Sequence, residues 1–346
     1  MKKLALTVLV LALFAAAGPA IAAERVVHVF NWTEYIPEGV IEEFEATTGI
    51  KVVYATFESN ESMYAKLKML DGKGYDVIVP STYFVSKMAR EGLLRELDHA
   101  KLPNLKNMDP AYLDKPFDKG NRYSMPYAIG GTGIMVNRTE VNPERIRSWK
   151  GLWDSSLAGQ ILLMDDMRDV FGIALKINGH SLNDTDPKHI EQAYELLKSL
   201  MPNVRTFNSD TPKTPFLNEE VGVGMIWNGE AFVAMNEMDT LEFIWPEEGG
   251  LFWMDCLCIP AGAENVDEAH EFINFILRPE VARQMVEEWG YATANRATID
   301  MLPENYRKSS VIFPPKEVMD KSEFQNDVGE AIFVYEKFWN RLKGGH

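Results

Sequence analysis

Short apolar runs alternate with amphipathic stretches through most of the chain. Val26–Phe30, Lys51–Thr56 and Val77–Val79 have the length and β-branched content of strands, and the spacing of apolar positions predicts helices over Glu38–Thr47, Asn60–Leu70 and Phe84–Glu91. That alternation is the pattern of a doubly wound α/β lobe. A second series repeats it, with a strand at Gln160–Leu163, helices at Asp166–Lys176 and Pro187–Leu200, and a buried strand at Val221–Trp227. Two lobes of similar build follow.

The joins between the series are not floppy. Pro126–Asn137 (PYAIGGTGIMVN) is apolar and glycine-rich, and Gly250–Pro260 (GLFWMDCLCIP) is apolar and long, so each is expected to cross between lobes as extended chain. Two helices, Val266–Leu277 and Pro279–Glu288, are expected back on the first lobe, and a tail from about Ile299, ending in an amphipathic helix at Val328–Lys343, on the second. The expected division is residues 24–131 with 254–298 in lobe one, and 132–253 with 299–346 in lobe two. Two crossings make a hinge that closes on a cleft.

At 346 residues the chain exceeds the size at which one core usually stops growing, which agrees with two lobes. The first residues stand apart. Lys2 and Lys3, the apolar run Leu4–Ala17 and the small residues Ala20-Ile21-Ala22 read as a secretory signal over residues 1–23, with the mature chain beginning near Ala23 or Glu24. An uncleaved anchor is the alternative, against which Gly18-Pro19 breaks the run early. Loss of Lys2 and Lys3 takes the formal charge from −16 to −18, which argues against nucleic acid or anionic lipid as partner and permits cationic ligands.

Cys256 and Cys258 stand two apart in an apolar run that reads as a strand. Their side chains are then about 6.6 Å apart, beyond the roughly 4 Å between Cβ atoms that a disulfide needs, so two free, buried thiols are expected. The six histidines (28, 99, 180, 189, 270 and 346) are scattered, and no cluster suggests a metal. The chain carries no G-x-S-x-G, H-E-x-x-H, G-x-x-x-x-G-K-[ST] or strand-following G-x-G-x-x-G, so the common hydrolase, protease and nucleotide sites are missing and no cofactor is implied.

What recurs is an aromatic beside an acid at strand ends. Trp32, Glu34 and Tyr35 follow the first strand, on the side where open α/β sheets bind ligands. Glu34 is also expected just before a helix opened by Pro37, where the backbone's positive end favours a carboxylate. Asp166 and Asp169 share one face of a helical first turn, with Asp165 expected as its N-cap. Trp253 and Asp255 point the same way from the second crossing, and an acid inside nine apolar residues is costly unless paired with an Arg or Lys or offered to a ligand. Trp227 and Tyr291 add aromatics near turns, each taken alone more in keeping with a core residue, and Tyr83 follows the third strand as Trp32 and Glu34 follow the first. Jointly, a box of Trp and Tyr with several acids suits a slender polycation, since ammonium groups gain about 0.5–2 kcal/mol on each aromatic face and carboxylates neutralise them.

These residues lie in segments that resemble the polyamine-binding proteins of ABC transporters, of the spermidine-preferring type. The resemblance runs in near-constant register through NWTEYIPEG, FESNESMYAKLK, YDVIVPSTYFVSKM, MDPAYLDKPFD, LLMDDMRDVF, LMPNVRTFNSD, GMIWNGEAFVA, WPEEGGLFWMD, INFILRPEVA and FQNDVGEA. It implies a type II periplasmic binding fold that closes on spermidine or putrescine and delivers it to a membrane permease. By the resemblance, the aromatic box is Trp32, Tyr35, Tyr83, Trp227, Trp253 and Tyr291, the acids are Glu34, Asp166, Asp169 and Asp255, and the polar contacts are Thr33, Ser81, Ser209 and Gln325. Asp169 stands where the spermidine-type motif carries Glu, which shortens its reach toward a terminal amine. The cysteines replace small residues, on the strand side opposite Asp255. The competing readings are a secreted glycoside hydrolase using two of the acids, and an amine sensor of the same fold.

Overall fold

The computed structural model describes residues 24–344, so the expected signal segment lies outside the described residues. Among them, eleven strands form one continuous sheet: β1 Val26–Trp32, β2 Lys51–Phe57, β3 Val77–Ile78, β4 Leu94–Arg95, β5 Ser124–Asn137, β6 Ile161–Leu163, β7 Val204–Phe207, β8 Val223–Trp227, β9 Leu241–Ile244, β10 Leu251–Pro260 and β11 Glu323–Phe324. The order of the main path is β2-β1-β3-β10-β5-β8-β6-β7. Strand β1 pairs in parallel with β2 and β3, and β6 with β7 and β8, as alternating strands and helices require. The two apolar crossings, β5 and β10, pair antiparallel with each other at the centre.

The helices are α1 Val40–Thr48, α2 Asn60–Met69, α3 Thr82–Arg90, α4 Met167–Ile177, α5 Pro187–Leu200, the single turn α6 Thr214–Leu217, α7 Asn228–Glu237, α8 Val266–Ile276, α9 Pro279–Trp289, three further single turns (α10 Arg296–Ile299, α11 Glu304–Arg307, α12 Lys316–Met319) and α13 Ile332–Lys343. The expected elements are all present, displaced at their ends by a few residues. One displacement matters for the chemistry. Helix α1 starts at Val40 behind Gly39, whose φ of 81° ends the preceding turn, so Pro37 is not the first helical residue and Glu34 is not at a helix terminus. Asp166, not Asp165, caps α4, and the last helix begins at Ile332 after a 3₁₀ turn over Gly329–Ala331.

Buried apolar side chains fall into two cores. The first gathers Val27, Val29, Phe44, Leu257 and Phe272 around β1, β3 and the near half of β10; the second gathers Ile134, Leu162, Phe171, Met225 and Tyr335 around β6, β8 and α4. Leu302 and Ile312, expected on the second lobe, belong to the first core, and so does Trp253; α13 packs on the second through Tyr335, Phe338 and Leu342. The 299–324 segment therefore stays with the first core beyond the expected boundary. Both cysteines are free and buried. No helix among the described residues is long and apolar enough to cross a membrane.

Candidate functional site

The centre of the site is Asp255, on β10 where a register shift against β5 separates it from Cys256. The carboxylate is 4% exposed and accepts hydrogen bonds from the Tyr35 hydroxyl (2.8 Å) and the Ser81 hydroxyl (2.6 Å). Among the described residues no arginine or lysine is one of its partners. Burial pushes it up to about 7, opposed by the two hydroxyl bonds. Asn60, the first residue of α2, donates to the hydroxyls of Ser81 and Tyr83 at 3.0 Å each and accepts the Ser81 N–H, so it fixes the orientation of both.

Rings wall the same space. Tyr291 meets Tyr35 edge-on at 5.5 Å and Trp253 at 5.3 Å, and Trp32 donates its indole N–H to the Val79 carbonyl at 2.9 Å. Two glycines make the placement possible. A Cβ on Gly130 of β5 would lie 2.3 Å from the Trp253 indole, and one on Gly229 of α7 would lie 2.4 Å from the Tyr291 ring. The glycine-rich composition of the first crossing is thus a seat for an aromatic on the second.

At one end stand Asp166 and Asp169. Asp166 caps α4 by accepting the Asp169 N–H at 2.9 Å, which explains one acid at a helix start. Asp169 is 1% exposed and accepts from Thr132 (2.6 Å), the Trp227 indole (3.1 Å) and the Gln325 amide (2.6 Å). Burial first, then the neighbouring Asp166 charge, pushes Asp169 up to about 8. Asp166 is likewise raised, chiefly by burial. The crowding of two carboxylates expected from the sequence is met by geometry: no lysine or arginine among the described residues forms an ion pair with either.

The opposite end differs from expectation. Glu34 adopts a left-handed backbone, φ 49°, at a cost of roughly 1–2 kcal/mol. Its carboxylate accepts from the Lys213 ammonium at 2.8 Å, and the same ammonium reaches Glu230 at 3.0 Å. Lys213 immediately precedes α6 and Glu230 lies in the first turn of α7, so the chain supplies a cation of its own beside one of the acids that the resemblance assigns to the ligand.

All fourteen side chains named from the sequence line one cavity. Phe57, Glu58, Asn60, Asp210 and Glu230 line it too and were missed. Asn60 carries no sequence signal beyond the start of a helix, and Glu230 follows an aromatic by three residues, which the strand-end pattern does not cover. The Ser209 hydroxyl is buried with no hydrogen-bond partner among the described residues. Three carboxylates outside any ion pair among the described residues, together with flat ring faces, make an arrangement that can hold an elongated cation.

Residues 39–309 match the family model for bacterial extracellular solute-binding proteins. The chain is 50% identical over 318 residues to the spermidine/putrescine-binding periplasmic proteins of Salmonella typhimurium and of Escherichia coli, covering 92% of this chain and 91% of each relative. It is 34% identical to the putrescine/cadaverine-binding protein of Pseudomonas aeruginosa, over 99% of both chains. Among solved structures it is similar to the spermidine/putrescine ABC transporter substrate-binding protein of Streptococcus pneumoniae, with a TM-score of 0.79 and 34% identity over 92% of this chain and 99% of that one.

Proposed function

Because the chain belongs to the bacterial extracellular solute-binding proteins, on the polyamine-binding branch, we propose that its cleft captures a polyamine in the periplasm and passes it to the permease of an ABC importer. Spermidine is the favoured ligand, with putrescine second. The observation that carries this reading is the trio Asp166, Asp169 and Asp255. Burial raises all three above the ordinary carboxylate range, the nearby Arg168 charge only partly offsets this at Asp166 and Asp169, and none forms an ion pair among the described residues, so the site stores an electrostatic deficit that ligand ammonium groups remove. The rings of Trp32, Tyr35, Tyr83, Trp227, Trp253 and Tyr291 hold the methylene stem between those charges.

Asp255 sits in the middle of the row and is assigned an inner ammonium. Asp166 and Asp169 take one terminal amine, and Glu34, shared with Lys213, takes the other more weakly. The two cores, joined through β5 and β10, close on the ligand as lobes and open to release it. The relatives are substrate-binding transport proteins, and we read this chain likewise as a binder without catalysis. The hydrolase reading has no support among the relatives, and the row of acids fits it poorly, since all of them face one aromatic-walled slot suited to several amines.

Calorimetric titration with putrescine, spermidine and spermine tests the proposal. Tight 1:1 binding of spermidine, recovered chemically unchanged from the complex, is expected, with putrescine weaker. Absence of binding to all three amines would overturn the assignment, and putrescine binding more tightly than spermidine would overturn the ranking.

A further inference from the structure

Away from the cleft, the turn between α4 and α5 brings together three side chains that the sequence spreads over ten residues. His180 and His189 stack face to face, with ring centroids 3.8 Å apart and planes 12° from parallel. The Nδ1 atom of His189 lies 2.9 Å from Asp184 Oδ2, and the Nδ1 of His180 lies 4.0 Å from the same oxygen. One ligand atom from each residue thus falls within 4.8 Å of the other two, and all three side chains are half-buried. The histidines that looked scattered converge because the chain reverses direction over Asn178–Asp186.

We propose that His180, Asp184 and His189 form a binding site for a divalent transition metal of the zinc, nickel or copper class. Two imidazoles and a carboxylate are the donors such ions select, whereas calcium and magnesium take oxygen sets. Zinc holds imidazole nitrogen and carboxylate oxygen at about 2.0–2.2 Å, which places ligand atoms around one tetrahedral ion roughly 3.3 Å apart. The His189–Asp184 pair is already inside that spacing. His180 is the residue that must adjust: its Nδ1 lies 4.0 Å from Asp184 Oδ2, and its ring must also turn out of the stack with His189 so that both nitrogen lone pairs converge on the ion, a movement its position on a turn allows.

The carboxylate is aimed by bonds that an ion would leave intact. Asp184 Oδ1 accepts the Asp186 N–H at 2.7 Å, and the Asp184 carbonyl accepts the Tyr335 hydroxyl of α13 at 2.6 Å, leaving Oδ2 for the imidazole side. His180 also borders an open groove, so water can complete the coordination. Two stacked imidazoles sharing one carboxylate oxygen gain little as a hydrogen-bonded pair, since only one of them is within bonding distance; a shared ion gives both a role.

The test uses the mature chain without a histidine tag. Titration with Zn²⁺ at pH 7.5 is expected to show one ion per chain, and His180→Ala, His189→Ala and Asp184→Asn are each expected to weaken it at least tenfold, with melting curves in chelator confirming that the variants fold. Co²⁺ is the second probe: its visible absorption should report nitrogen ligation in the wild type and lose that band in the variants. If an alanine variant fails to fold, the wild-type Co²⁺ spectrum and the more conservative His189→Gln decide. No binding by the wild type, no nitrogen-ligated band, or equal Zn²⁺ affinity in the His180→Ala/His189→Ala double variant would overturn the proposal.

Discussion

Asp255→Asn separates what the cleft does for its ligand from what it costs the fold. In the ligand-free protein burial holds this carboxyl up to about 7 against its ordinary 3.8, so between those values the folded chain keeps a proton that the unfolded chain gives up. Stability therefore falls as pH rises through that window, and above pH 7 the full penalty is in force, on the order of 4 kcal/mol. The asparagine side chain carries no such charge penalty; its single oxygen keeps one of the two hydroxyl bonds, and its amide NH2 donates to the other hydroxyl, which turns to accept it. The ligand-free variant should melt higher than wild type at pH 8, by on the order of 5 °C, and show little gain at pH 4. Binding should move the other way. Leaving a buried ammonium without its carboxylate costs about 3–5 kcal/mol, a loss of roughly a hundredfold to a few thousandfold for spermidine. Melting at the two pH values and calorimetric titration measure both effects. A variant no more stable than wild type at pH 8, or one that binds spermidine within about threefold of wild type, under 1 kcal/mol, would show that Asp255 is not the strained inner anion described.

The raised carboxyls also fix a pH dependence: Asp169 near 8 and Asp255 near 7 must ionise to meet ammonium groups, so binding should release protons and affinity should fall as pH drops below 8, by up to about tenfold per unit for each group below its own value. Calorimetry in two buffers of different ionisation enthalpy counts the protons, and none released at pH 6.5 would contradict the electrostatic reading. Lys213→Met removes the ammonium that Glu34 and Glu230 share, and should raise the preference for spermidine over putrescine by roughly tenfold, since only the longer amine reaches that end with a third charge; an unchanged ratio would count against it. Gly130→Ala puts a methyl into the Trp253 ring, and should cost about 1–3 kcal/mol of stability and a further loss of spermidine affinity as the indole is displaced, followed by tryptophan fluorescence.

The sheet was legible because its signal is local. Runs such as Val26–Phe30 and the 3.6-residue spacing along Pro187–Leu200 need only neighbours to be read, and the crossings betrayed themselves by being too apolar for surface linkers. What local pattern could not show is where a returning segment packs. The residues around Leu302 and Ile312 have no strong period, and their burial depends on meeting the first core, which only the folded chain reveals. Helix starts differ for a similar reason. Pro37 is a good first helical residue in the abstract, but Gly39 in a left-handed conformation takes the turn two residues later.

The site divides along the same line, and the division bears on how selectivity is built. Asp255 stood out in the sequence because a carboxylate inside an apolar strand has to be answered by something, and Asp166 with Asp169 because a helix start accounts for one or two acids more easily than for the three at Asp165, Asp166 and Asp169. Lys213 and Glu230 carry no such signal: a lysine before a proline-containing turn and a glutamate in a helical first turn are ordinary until folding places both within 3.0 Å of each other, with Glu34 on the far side. The pair adds one positive and one negative charge, so the net charge of that end is the same as with Glu34 alone. Its effect is instead one of competition. An ammonium arriving at Glu34 must share the carboxylate with one already fixed there at 2.8 Å, whereas an ammonium arriving at Asp255 or Asp169 meets acids that no protein cation holds. On the proposed reading, binding strength therefore concentrates at Asp255 and at the α4 acids, and the Lys213 side sets how much the third charge of a triamine is worth.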